Sequence, residues 1–241
     1  MRNIVEKMTI NYSPNFDLKR RAKSKIKYLI FHYTGMKSDK SAIKRLTDIN
    51  SKVSCHYYID QKGNIIQMVP DLYVAWHAGQ SFWGKDKSLN KKSIGIEISN
   101  PGHQHGYKNF NKKQIYSLIK LSKKLIKKYS IKNKYILGHS DIAPLRKKDP
   151  GEKFPWKILS KKNIGIWHNY KKKIKNRFID IKSTDLKNEF FFNLRKYGYS
   201  INSKSLLDKR KIVKVFQMRF RPENVNGIID FETYNILKTL K

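Results

Sequence analysis

Two histidines and one aspartate stand where a chain places metal ligands. His32 lies near the end of an apolar run, Ile26 to Tyr33 (IKYLIFHY), rich in β-branched and aromatic residues. His139 follows a second such run, Tyr135 to Leu137. Side chains at strand ends are held by a rigid scaffold and still reach a cleft. Asp149 comes ten residues after His139, in a loop punctuated by Pro144, Pro150 and Gly151. Two imidazoles and a carboxylate make a three-ligand zinc set that leaves the fourth position to water. On spacing alone a second reading stands, in which His32 is a core histidine bonded to a backbone carbonyl. His103 and His105 form an H-x-H that also suits a metal, or simply an exposed loop.

Glu97 is the second signal. It sits inside an otherwise apolar strand, Ile94-Gly95-Ile96-Glu97-Ile98. A carboxylate there is either paired or functional, because burying it unpaired is costly. Facing a metal-bound water, it is a general base. Facing one of the many cations of this chain, it is half of an ion pair.

The elements that position these groups follow from periodicity. Ile26–Tyr33, Cys55–Ile59, Ile65–Val69, Ile94–Ser99 and Tyr135–Leu137 read as strands. Gln61-Lys62-Gly63-Asn64 joins two of them as a hairpin-type turn. Ser38 caps a helix through Leu46, and Asn111 with Gln114 opens another in the manner of a capping box. Ile115, Leu118, Ile119, Leu125, Ile126 and Tyr129 give that helix its apolar face. Strands and helices intermix, which predicts an α/β domain with a mixed central sheet flanked by helices. Residues 161–183 are Lys-rich and read as a linking segment. Residues 184–241 predict a three-helix unit. Phe190, Phe191, Leu194 and Tyr197 fall on one face closed by Gly198, a helix from Leu206 to Phe220 stops before Pro222, and Asp230 caps the last helix.

Composition bounds the rest. Lys and Arg number 53 against 18 Asp and Glu, a formal net charge of +35. Such a surface attracts polyanions in a salt-dependent way. No nucleic-acid-binding motif accompanies the charge, so specific nucleic-acid recognition is not expected. The single cysteine, Cys55, excludes a disulfide within the chain. No run approaches the roughly 18 apolar residues of a membrane span. The polar, basic residues 1–25 read as a loose lead-in without a signal peptide, which predicts a cytoplasmic protein.

Several short motifs occur together and in order over roughly residues 26–156: FHYTG, SCHYYID, AWHAG, SIGIEISN and GHSDIAPLRKKDPG. Together they resemble the N-acetylmuramoyl-L-alanine amidases of the AmpD and AmiD type, relatives of the peptidoglycan recognition proteins. The resemblance implies one zinc ion held by His32, His139 and Asp149, with Glu97 as catalytic acid–base. It implies that Lys147 stabilises the transition state. His56 and His77 are then supporting or substrate-contacting residues, and Asp141 is structural. The implied reaction is hydrolysis of the lactyl–L-alanine amide of intact or 1,6-anhydro muropeptides, in wall turnover or recycling. Residues 26–160 become the catalytic domain. VFQMRFRPENVNGIID, within residues 184–241, resembles a peptidoglycan-binding domain. That module speaks for the cell envelope, against the cytoplasmic expectation. The resemblance also covers recognition proteins that keep the fold and lose the metal; the complete ligand set argues for an enzyme. Among the tryptophans, Trp76, Trp83 and Trp156 suit either core packing or a sugar ring. Oligomeric state is not readable from the residues.

Overall fold

The computed structural model describes residues 8–171, 177–203 and 205–240. Among these residues ten strands run in chain order: β1 (Thr9–Ile10), β2 (Phe16–Asp17), β3 (Tyr28–Tyr33), β4 (Tyr57–Ile59), β5 (Ile65–Gln67), β6 (Val74–Ala75), β7 (Phe82–Trp83), β8 (Asp86–Lys87), β9 (Ser93–Ile98) and β10 (Ile136–Gly138). Seven α-helices accompany them among the described residues: α1 (Asp39–Thr47), α2 (Lys112–Tyr129), α3 (His139–Ile142), α4 (Trp156–Ser160), α5 (Thr184–Tyr197), α6 (Leu206–Phe220) and α7 (Phe231–Thr239).

The main sheet is mixed, in the order β1-β5-β4-β9-β3-β10, as the α/β pattern predicts. Its centre is parallel, with β3 between β9 and β10, and β4 pairs antiparallel with β5 through the expected turn. Side chains alternate between faces along each strand. Leu29 and Phe31 of β3, with Ile94, Ile96 and Ile98 of β9, pack under Leu118, Leu121 and Leu125 of α2. The other face carries Tyr28 and Ile30 with Leu137, and α5, α6 and α7 close over it through Phe190, Leu194, Phe216, Phe220 and Ile236. The three C-terminal helices therefore share one continuous apolar core with the sheet.

Local chemistry sets the helix ends. The Ser38 hydroxyl caps α1, and Asn111 and Gln114 exchange side chain-to-backbone bonds at the start of α2. Asp230 caps α7. These side chains satisfy backbone N–H groups that the first helical turn leaves free.

One expectation needs correction. Residues 1–7 of the lead-in lie outside the described residues, and the rest is not loose: β1 joins the edge of the main sheet and β2 pairs with β6. Both β1 side chains are exposed, so this strand is held by backbone hydrogen bonds and leaves no apolar period in the sequence.

Candidate active site

The register brings the predicted residues together. His32 pairs directly with Glu97 across β3 and β9, and Ile30 with Gly95. Tyr28, Ile30 and His32 thus share a face with Ser93, Gly95 and Glu97. His139 opens α3 at the carboxyl end of β10, next to β3. The carboxyl ends of adjacent parallel strands form the natural crevice of such a sheet. Asp149 is tied to α3 by a hydrogen bond from the Ser140 N–H to its carbonyl, 2.7 Å.

Three atoms converge there. Nδ1 of His32 lies 2.9 Å from Nδ1 of His139, and Oδ2 of Asp149 lies 3.1 and 3.0 Å from the two. All three residues are buried. The hydrogen-bond network fixes both tautomers. His139 Nε2 faces the Ala78 carbonyl at 3.0 Å, so it carries the proton. The Ser93 hydroxyl donates to the Leu89 carbonyl, 2.7 Å, and so accepts from His77 Nε2, 3.1 Å. His77 Nδ1 is then an acceptor, and His32 Nε2–H donates to it at 3.0 Å. Both Nδ1 atoms therefore present lone pairs to a carboxylate oxygen. Three lone pairs at this spacing repel one another unless a cation lies between them, and two imidazoles with one carboxylate are a metal donor set.

Electrostatics agree. Burial, then the proximity of His139, lowers the His32 pKa to about 4, which keeps the imidazole neutral. Burial by itself raises Asp149, but His139 and His32 outweigh it and hold the carboxylate well below its usual range.

Glu97 stands beside this group. Its side chain keeps some surface toward the cleft, but Oε2 is buried with no hydrogen-bond partner among the described residues. The surroundings of Oε2 dominate: burial, then Asp149, raises the pKa to about 8, against the opposing charge of Lys147. The ion-pair reading of Glu97 is thus not met. Lys147 lines the cleft, and its charge acts on both Glu97 and His32.

The cleft measures about 610 Å³ and is lined by Glu97, Lys147 and Trp76, with Arg45 and Lys148 among its cations. His103 is bound to Tyr33 and Glu152, at 2.9 and 3.0 Å, and is not part of the metal group. His105 is exposed on the same loop. His56 accepts from the Gly95 N–H and faces the Tyr73 carbonyl, a supporting position. Cys55 is buried in a small cluster with Met68. Trp83 and Trp156 belong to the core.

A family described as N-acetylmuramoyl-L-alanine amidase matches residues 22–152 by its sequence model. The Escherichia coli K12 N-acetylmuramoyl-L-alanine amidase AmiD is 36% identical over 247 residues, covering 93% of this chain and 86% of AmiD. This chain belongs to the N-acetylmuramoyl-L-alanine amidase family. The structure of E. coli AmiD in complex with the substrate anhydro-N-acetylmuramic acid-L-Ala-D-γ-Glu-L-Lys superposes with a TM-score of 0.78 at 35% identity, covering 93% of both chains. Pseudomonas aeruginosa AmpDH3 gives 0.79 at 30% identity over 97% of both. The amidase is thus similar to these proteins along nearly its whole length, C-terminal helices included. Among its described residues no helix is long and apolar enough to cross a membrane.

Sequence reasoning placed His77 in a motif without a defined task. Its signal was Gly95: a Cβ there would fall 2.4 to 2.7 Å from the His77 ring. A glycine inside a strand of isoleucines marks a close approach.

Proposed function

We propose that this amidase hydrolyses the amide between the lactyl group of N-acetylmuramic acid and L-alanine, with one zinc ion held by His32, His139 and Asp149. The observation that carries the reading is the convergence of three lone pairs of fixed tautomer beside an unpartnered buried carboxylate oxygen. Bound zinc supplies a Lewis acid for the lactyl carbonyl and lowers the pKa of water to about 7.

The residues of the chain do the rest. Glu97 Oε2 takes the proton of the attacking water and returns it to the L-alanine nitrogen as the C–N bond breaks. A carboxylate whose surroundings already favour the protonated form is suited to carrying that proton. The Lys147 ammonium lines the cleft and stabilises negative charge growing on the carbonyl oxygen. Arg45 and Lys148 give the rim a cationic character that suits stem-peptide carboxylates. The E. coli AmiD and P. aeruginosa AmpDH3 structures hold anhydromuramic peptides, which supports anhydro muropeptides as substrates here.

Residues 184–241 are assigned as the peptidoglycan-binding unit. A shallow cleft of about 390 Å³ between their helices, lined by Phe191, Phe192, Asn188, Asn202 and Arg195, supports this assignment. The aromatic faces suit sugar rings and the amides suit their hydroxyls.

The test is mass spectrometry of purified muropeptides incubated with the protein, with and without a zinc chelator. Release of an intact stem peptide beginning with L-alanine, blocked by chelator and restored by zinc, is expected. Binding of muropeptides without cleavage, with zinc confirmed bound, would move the chain to a recognition role.

A further inference from the structure

The segment that carries His139 is held from the far end of the chain. Asp141, two residues beyond His139 in α3, is 1% exposed. Its Oδ2 accepts the Gly138 N–H at 2.8 Å, which pins the first turn of α3. The same oxygen accepts from Nη1 of Arg219 in α6, and Oδ1 accepts the hydroxyl of Tyr199, just past α5. Arg219 is itself 3% exposed. Its Nη2 donates to the Ile136 carbonyl at 3.0 Å, and its guanidinium lies 4.2 Å over the Trp156 ring. One planar side chain thus grips both ends of the segment Ile136–Asp141, with His139 between them. Two donors in the fixed fork of one guanidinium set orientation as well as distance.

We infer that Arg219 and Tyr199 are positioning residues for His139, so that the C-terminal helices form part of the frame of the metal site. This rests on the reading of His139 as a zinc ligand. His139 Nε2 is oriented by the Ala78 carbonyl, but that bond fixes only the rotation of the ring. The position of its backbone depends on where α3 sits, and α3 is anchored by Asp141. In a metal site the groups behind the ligands commonly set affinity by a factor of about 10 to 100.

The experiment uses the full chain. Zinc affinity is measured by chelator competition, and the d–d absorption spectrum of the cobalt(II)-substituted protein is recorded, well below the melting temperature of every variant. Arg219→Met is expected to weaken zinc binding about tenfold or more and to alter the cobalt spectrum. Arg219→Lys keeps the charge but loses the two-ended grip, and should fall between Arg219→Met and wild type. Phe190→Leu, in the same apolar core but outside the hydrogen bonds of Asp141, should lower the melting temperature and leave zinc affinity and spectrum unchanged. A folded Arg219→Met protein with wild-type zinc affinity and spectrum overturns the inference. If Arg219→Met does not fold, Arg219→Lys and Tyr199→Phe decide: weakened zinc binding in both supports it, and wild-type binding in both overturns it. A wild-type protein that fails to bind zinc at all would instead sink the metal-site reading itself.

Discussion

The Nε2–H of His32 donates to Nδ1 of His77 across 3.0 Å, and Gly95 provides the space in which the His77 ring lies. His77 therefore decides which nitrogen of His32 faces His139 and Asp149, although it is not one of the three residues that could hold a metal. His77→Ala should keep the fold and weaken zinc binding by about 10- to 100-fold. Gly95→Ala should do the same from the strand side, because the added Cβ would displace the ring. Chelator competition checks both, and wild-type affinity in His77→Ala would free His32 from this control.

Glu97 is the group to test for proton transfer. Glu97→Gln should retain zinc and lose about 10²- to 10⁴-fold in turnover. It should also change the metal-free stability in a pH-dependent way. The Glu97 pKa rises from 4.5 to about 8 on folding. Between those values the folded state holds a proton that the unfolded state has released, so this group makes stability fall as pH rises. The metal-free Glu97→Gln protein should gain stability over wild type across that window, with the difference constant above it. Denaturant titrations of both proteins at pH 5, 7 and 9 check this, and a constant difference would contradict the burial of Oε2.

The sequence announced this site unevenly. His32, Glu97 and His139 stood out as polar residues near the end of, or inside, a β-branched run, although spacing alone left His32 open to a core role and Glu97 to an ion pair. The cap Ser38 and the pair Asn111 with Gln114 marked helix starts locally, and Gly198 and Asp230 marked helix boundaries in the same way. Strand β1 was hidden because its side chains face solvent, and two-residue strands such as β6 to β8 are too short to show a period. Tertiary pairing was the least legible. Asp141 and Arg219 are 78 residues apart, and a chain with 53 basic residues gives no reason to single out one arginine.

Acid should destabilise the metal-free protein through its buried imidazoles. Burial and neighbouring charge lower His32 to about 4 and His56 to about 3, and hold His77 well below its usual value. The unfolded chain protonates these groups near pH 6.5, whereas in the folded chain His32 resists down to about pH 4 and His56 to about pH 3, and His77 is likewise held below its usual value. Their contribution to stability is complete above about pH 6.5 and is lost as pH falls, at up to about 1.4 kcal/mol per pH unit for each group. Denaturation of the metal-free protein at pH 7 and pH 5 should show this loss. Saturating zinc should move the transition to lower pH, because bound metal competes with protons for His32. A metal-free stability that is flat from pH 7 to 5 would mean that these histidines are not buried neutral.

The C-terminal helices should prove inseparable from the sheet. Phe190, Leu194, Phe216 and Phe220 are fully buried in the same cluster as Tyr28, Ile30 and Leu137. A chain ending at Lys182 would expose that face of the central strands to water, at about 25 cal/mol for each Å² of apolar surface. It would also strip Asp141 of both Arg219 and Tyr199 and leave a buried carboxylate without its cation. The truncated protein is therefore expected to aggregate or to lack fixed tertiary structure, and to lose cleavage of small muropeptides along with wall binding. Near-UV circular dichroism and proton NMR dispersion check the first expectation, and muropeptide mass spectrometry the second. A soluble, well-dispersed truncation with full activity on small muropeptides would show that the shared core is dispensable and that wall binding alone depends on these helices. Wall binding itself is then best probed in the full chain, with Phe192→Ala at the 390 Å³ cleft, since Phe192 is 64% exposed and its loss leaves the core intact. Weaker sacculus binding with unchanged turnover of small muropeptides is the expected result.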